Sequence, residues 1–217
     1  MGTEVREEIK AFWNKNGDYD NIAAHGVHSD EEKNLWMNVF KEQIGTGKRL
    51  KILDMGTGSG FLAFLLADMQ HEVTGADWSL TMLEKAREKL KGKDNAVNFV
   101  TEDAEDLSFG AETFDTVVSR HMLWTLPDPQ KVINEWSRVL KQGGQVIVDI
   151  PLKAVGKSHF NEEVGKELPF YNGTTTEEVA GMFEKAGFVN QMRSDFKGED
   201  GKEIVIIKYE KPESQKD

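Results

Sequence analysis

The chain has 217 residues and no cysteine, and its 27 Lys+Arg stand against 38 Asp+Glu, a formal net charge of −11 at pH 7. A chain of this length buries one good core and leaves little room for a second domain. The missing cysteine excludes disulfides, thiolate metal sites and a cysteine nucleophile, and the acidic balance repels a phosphate backbone, so no nucleic-acid partner is expected.

No apolar run approaches the ~20 residues that cross a bilayer, and Met1–Lys10 is charged where a secretory signal would be apolar. These features predict a cytoplasmic protein with no membrane partner, monomeric or homodimeric. Apolar residues at helical spacing predict helices over Glu4–Asn14 and Asp30–Gln43, the second with a stripe of Leu35, Trp36, Val39 and Phe40 and with Ser29 as N-cap. His25 and His28, near Asp30 and Glu31, invite a metal reading, but the spacing is undemanding and no metal is expected. From Leu50 the chain alternates β-rich runs (Leu50–Met55, Glu72–Ala76, Val97–Val100, Phe114–Ser119, Gln145–Ile150) with helical segments (Gly60–Met69, Ser79–Lys91, Pro129–Leu140). That alternation builds a parallel sheet covered by helices on both faces. Lys141 and the Gly143-Gly144 turn are expected to close the third of these helices. The basic cluster Lys85, Arg87, Lys89, Lys91 and Lys93 alternates with Glu84 and Glu88 and reads as a solvated helix face.

Near the end, Thr176 caps a helix through Lys185, Gly187 stops it, and Phe188–Phe196 and Ile204–Tyr209 are separated only by a polar turn. So short a connection predicts an antiparallel hairpin, giving seven strands in all and a frayed polar tail over Lys211–Asp217.

The stretch that carries chemistry is Asp54-Met55-Gly56-Thr57-Gly58-Ser59-Gly60, an apolar strand running into a glycine-rich turn that opens a helix. Glycines there let backbone approach a ligand. The dinucleotide fingerprint is not met, because Phe61 stands where its third glycine belongs, and no Walker lysine follows. The next strand ends at Asp77, where a carboxylate beside the glycine turn can accept both hydroxyls of a ribose; Ser79 is the better-placed cap for the following helix.

Asp54-x-Gly56-x-Gly58-x-Gly60 followed by Asp77 resembles the first motifs of class I S-adenosylmethionine (SAM) dependent methyltransferases, of the type 11-like group. Thr101-Glu102-Asp103-Ala104, Phe114-Asp115-Thr116-Val117-Val118 and Arg138-Val139-Leu140-Lys141-Gln142-Gly143-Gly144 extend the resemblance across Leu50 to Pro151, with Gln142 in place of the family's proline. The resemblance implies a Rossmann-like α/β three-layer sandwich: a seven-stranded, mostly parallel sheet with an antiparallel C-terminal edge hairpin and an N-terminal helical cap. The single domain then divides into a cap (1–49), a cofactor-binding core (50–151) and a substrate-side segment (152–217).

The resemblance also implies roles. Gly56, Thr57, Gly58 and Gly60 pass beneath the cofactor, Asp54 holds its methionine end, and Asp77 binds the ribose. Asp103 accepts from the adenine amino group, Ala104 offers backbone beside it, Trp78 packs on the ring, Arg120 contributes backbone, and Tyr19 reaches in from a cap that also carries Trp13, His25 and His28. After the fourth strand, Ser119-Arg120-His121-Met122-Leu123-Trp124 faces the substrate. His121 is the candidate general base and Trp124 a pocket wall, whereas Trp136 falls in the helix register of the core. The base- and glutamine-modifying element [N/D/S]-P-P-[Y/F/W] is absent there. Residues 156–171 are expected to fold over the acceptor. The implied activity is methyl transfer from SAM to a small-molecule acceptor by in-line displacement, leaving S-adenosylhomocysteine. The alternatives are a protein or tRNA methyltransferase, a non-catalytic nucleoside-binding module, and, least well supported, an NAD oxidoreductase.

Overall fold

The structure is a computed structural model that describes residues 2–15, 30–92, 97–150, 152–153, 159–197 and 203–213. Ser29, Lys93, Tyr19, His25 and His28 lie outside the described residues. The elements are α1 (Gly2–Lys15), α2 (Asp30–Gln43), β1 (Lys51–Met55), α3 (Phe61–Asp68), β2 (Glu72–Asp77), α4 (Leu80–Leu90), β3 (Val97–Thr101), β4 (Phe114–Ser119), α5 (Pro129–Val139), β5 (Leu140–Ile150), α6 (Glu162–Gly165), α7 (Thr176–Lys185), β6 (Val189–Lys197) and β7 (Glu203–Glu210).

The sheet runs β3-β2-β1-β4-β5-β7-β6, seven strands as expected. The pairs β3·β2, β2·β1, β1·β4 and β4·β5 are parallel. The hairpin partner β7 slots in antiparallel against β5, with β6 outside it. The order reverses between β1 and β4, so the crossovers on the two sides leave in opposite directions and open a crevice at the C-terminal ends of those strands.

Strand side chains alternate between two cores because successive Cβ atoms point to opposite faces. Leu53, Met55, Val117, Val146, Val148, Val205 and Ile207 meet α5 and α7 on one face, where Trp136 is fully buried as its helix register predicts. Ile52, Val118, Ile147 and Ile206 meet α2, α3 and α4 on the other. Asp54 and Asp149 interrupt this second apolar series, each one strand step of two residues beyond a buried isoleucine, and both are buried.

Four local expectations change. The N-cap of α7 is Thr175, whose hydroxyl accepts from Glu178 N–H while the Glu178 carboxylate accepts from Thr175 N–H; this reciprocal pair outcompetes a cap one residue later. The Gly143-Gly144 pair does not close α5. That helix ends at Val139 and passes directly into β5, and Gly143, at φ 71°, sits in an irregularity of register between β4 and β5. Lys211 is anchored instead of frayed, because its Nζ donates to Ser137 O and Leu140 O at 2.9 and 2.7 Å. In the basic cluster, Arg87 donates to Phe99 O and Lys89 to Ser59 Oγ, both at 2.8 Å, so part of that face is tied to the sheet.

Candidate functional site

A cleft of about 990 Å³, counting its open mouth, lies over the C-terminal ends of β1, β2, β3 and β4. Each of these strands delivers residues to it as it ends: Asp54 to Ser59 from β1, Asp77 and Trp78 from β2, Glu102 to Glu105 from β3, and Arg120 to Met122 from β4. Polar groups converging beside apolar side chains in one crevice suit a small organic ligand.

The glycine turn is held by backbone. Gly56 N–H and Thr57 N–H both donate to Ala76 O, at 2.9 and 3.0 Å, which pins the turn to the end of β2. Gly56 and Gly58 have φ of 72° and 54° and line the cleft. A Cβ on Gly56 would lie 2.8 Å from Met122 Sδ, so glycine lets the turn and the β4 loop approach. Gly60 differs from the expectation: it does not line the cleft. At φ 92° it is the N-terminal flank of α3, and a Cβ there would meet the Phe64 ring at 2.8 Å and the Phe99 ring at 3.1 Å, so its glycine serves packing beneath the site.

Two buried carboxylates flank the turn. Asp54 Oδ2 accepts from Thr57 Oγ1 at 2.6 Å and from Ala63 N–H at 3.0 Å. Burial nevertheless pushes its carboxyl up to about 7 from 3.8, outweighing those bonds. Asp77 spans the neighbouring loops, Oδ2 accepting from Gly58 N–H and Oδ1 from Ser79 N–H, both at 2.9 Å; burial raises its pKa as well. Ser79 caps α4 as expected, accepting from Met82 N–H, and its hydroxyl also donates to Asn14 at the end of α1.

At the β3 end, Asp103, Ala104 and Trp78 line the cleft together. Arg6 of α1 joins them without any sign in the sequence. Its guanidinium pairs with Asp103 and Glu105 and lies 5.9 Å from the centre of the Trp78 ring. A lone arginine in a charged amphipathic helix carries no sequence signal of such a reach across 97 residues. Of the two N-terminal helices only α1 lines the cleft, through Arg6 and Trp13, whereas α2 buries Trp36, Val39 and Phe40 in the second core. Glu32 of α2 does reach Arg120, whose guanidinium lies 4.7 Å from the centre of the Phe61 ring.

The wall after β4 consists of His121, Met122, Thr125, Leu126 and Pro127. Trp124, expected in that wall, points away from it: it is 2 % exposed and packs with Trp13, His159 and Phe160, because the 3-10 turn over Leu123–Thr125 rotates it into the core. The described part of 156–171 buries Phe160, Val164, Leu168, Phe170 and Tyr171 and contributes no residue to the cleft lining; His159 and Phe160 pack against Trp124.

His121 sits at φ 58°, a left-handed conformation that costs ~1–2 kcal/mol for a residue with a Cβ. Asp149 of β5 compensates, its Oδ1 accepting from His121 N–H at 2.7 Å and its Oδ2 from the ring Nδ1–H at 2.8 Å. Burial would push the Asp149 carboxyl up, but the His121 ring, these two bonds and Arg120 hold it below the ordinary carboxylate range. The sequence signal for Asp149 is an acid inside the apolar run Val146 to Ile150, legible only once the strand's faces are known. The Arg138 motif serves the fold: Arg138 pairs with Glu135 and donates to Leu107 O and Phe109 O, tying down the loop between β3 and β4. No group of three or more His, Cys, Asp or Glu suited to a metal occurs among the described residues, and none of their helices is long and apolar enough to cross a membrane.

A family model described as "Methyltransferase domain" matches residues 53–148. Demethylmenaquinone methyltransferase of Staphylococcus aureus is 30% identical over 220 residues, spanning 89% of this chain and 90% of that protein. Phosphatidylethanolamine N-methyltransferase of Cereibacter sphaeroides is 38% identical over 100 residues, 45% of this chain and about half (49%) of that relative's length. Among solved structures, Haemonchus contortus phospholethanolamine N-methyltransferase 2, in complex with phosphomonomethylethanolamine and S-adenosylhomocysteine, superposes with a TM-score of 0.70 at 20% identity, over 95% of this chain and 61% of that one.

Proposed function

The chain belongs to the class I SAM-dependent methyltransferases, and from that premise we propose that it methylates a small organic molecule inside the cleft. The cofactor supplies an electrophilic methyl group on a sulfonium. The residues present fit it. Asp54 is a buried carboxylate that burial alone leaves reluctant to ionise, and a cationic ammonium such as that of the cofactor's methionine end would satisfy it. Asp77 offers carboxylate oxygens at the glycine turn for ribose hydroxyls, Thr57 and Gly58 bond to the two acids, and Trp78, Asp103 and Ala104 are the lining residues that would take adenine.

The observation that carries the small-molecule reading is the apolar part of the cleft lining. Trp13 of α1, Met122, Leu126 and Pro127 add apolar side chains to that lining, which suits a compact organic acceptor. The net charge of −11 disfavours tRNA. The demethylmenaquinone and phosphatidylethanolamine named for the relatives are both organic molecules and neither protein nor nucleic acid, which agrees with a small-molecule acceptor. The test supplies methyl-labelled SAM together with small-metabolite and lipid extract, protein or tRNA pools from the source cells. Label in the extract supports the proposal; label confined to protein or tRNA overturns it.

A further inference from the structure

Resting on that reading, we propose that Arg6 of α1 is a latch on the adenine end of the cleft: in the ligand-free protein its guanidinium holds the seat that adenine must take, and the cofactor enters by displacing it. Two observations, made at different residues, carry it. The guanidinium pairs with Asp103 and Glu105. Asp103 Oδ1 is already used within its own loop, accepting from Glu105 N–H at 3.0 Å, so Oδ2 is the oxygen left for a ligand's amino group, and Oδ2 is the one that Arg6 takes. The same guanidinium lies 5.9 Å from the centre of the Trp78 ring. A base packed between two flat groups needs ~3.5 Å of contact distance on each side, so none fits between Arg6 and Trp78 as they stand.

A guanidinium suits this part. It is flat, it donates N–H groups in its own plane, and it lies against aromatic rings, the three properties by which a 6-aminopurine would engage Asp103 and Trp78. Arg6 can leave while α1 stays docked, because the helix is also held by Ile9 in the core and by Asn14, whose side chain accepts from the Ser79 hydroxyl at 2.8 Å. Its departure strands neither acid. Lys131 Nζ lies 3.7 Å from Glu105, and Asp103 gains the amino donor of the base in exchange. A seat that is latched for part of the time lowers the apparent affinity for the cofactor by the fraction of molecules that are unlatched.

The test is stopped-flow binding of S-adenosylhomocysteine, which carries the adenine but no net charge, so that removing an arginine leaves its long-range attraction to the cleft unchanged. Arg6→Ala, and Arg6→Met with its retained apolar stem, should each bind about fivefold faster and about fivefold tighter than wild type, with dissociation within about twofold. Asn14→Ala, which loosens the other end of α1 without touching the seat, should stay within about twofold of wild type in both rates. Slower or unchanged association in the Arg6 variants overturns the latch, and faster dissociation overturns it by making Arg6 a contact of the bound cofactor. An equal gain in Asn14→Ala also overturns it, since the docking of α1 and not the seat would then set the rate. Failure of the wild-type protein to bind S-adenosylhomocysteine would instead overturn the reading on which the latch rests.

Discussion

Asp54 keeps its proton up to about pH 7 in the folded protein, whereas an unperturbed carboxyl loses it near 3.8. Between those values the folded state binds more protons than the unfolded state, so this residue makes the ligand-free protein less stable as pH rises. Asp54→Asn removes the effect. Thermal unfolding from pH 5 to pH 8 should show a smaller loss of stability in the variant than in wild type; equal slopes would place the buried charge elsewhere. The sequence identifies Asp54 by motif, but its protonation follows from full burial beside Asp77, which only packing reveals. Arg6 and Asp149 show the same limit, since each owes its place to a contact between distant segments.

Helix α1 is attached to the cleft by Ile9 in the core, Asn14 on Ser79, and Arg6 on the acids at the end of β3. The Arg6 pairs are only partly exposed and are joined by a cation–π contact, so their loss should cost ~1 kcal/mol of local docking. Arg6→Ala should therefore speed amide exchange across α1 roughly fivefold while leaving β1 and β4 protected. Uniform acceleration would show that α1 opens only with the whole fold. At the start of α3, Gly60→Ala meets both a left-handed φ and the Phe64 ring. It should cost about 2 kcal/mol and lower Tm by roughly 4–8 °C, with SAM affinity retained by protein still folded. Strand and helix positions were legible because their apolar periods are strong. The α7 cap was not, because Thr175 and Thr176 compete for one role, and the β5 irregularity was not, because a glycine pair just after a helix reads equally well as a helix stop.

Across the whole molecule, the alternation of strands and helices and the late hairpin identified a mixed seven-stranded sheet, and the sheet order places the cleft where the order reverses. The glycine turn, Asp77, Trp78, Asp103, Ala104, Arg120 and His121 meet there although they follow four separate strands, β1 to β4. Gly60 and Trp124 fall outside the lining because each turns toward packing within one residue of the cleft wall. Strands converging on one crevice make binding a property of the assembled sheet, so SAM should also raise Tm, by mass action on the folded state alone.

The most direct measurement is calorimetric titration of wild type and Asp77→Ala with SAM, S-adenosylhomocysteine and NAD in one buffer. Wild type should bind the first two in the micromolar range and NAD not at all. Asp77→Ala should lose ~10- to 100-fold in SAM affinity, because buried ribose hydroxyls would go unpaired at ~1–3 kcal/mol. NAD binding, or unchanged SAM affinity in the variant, would contradict the placement of the cofactor on Asp77.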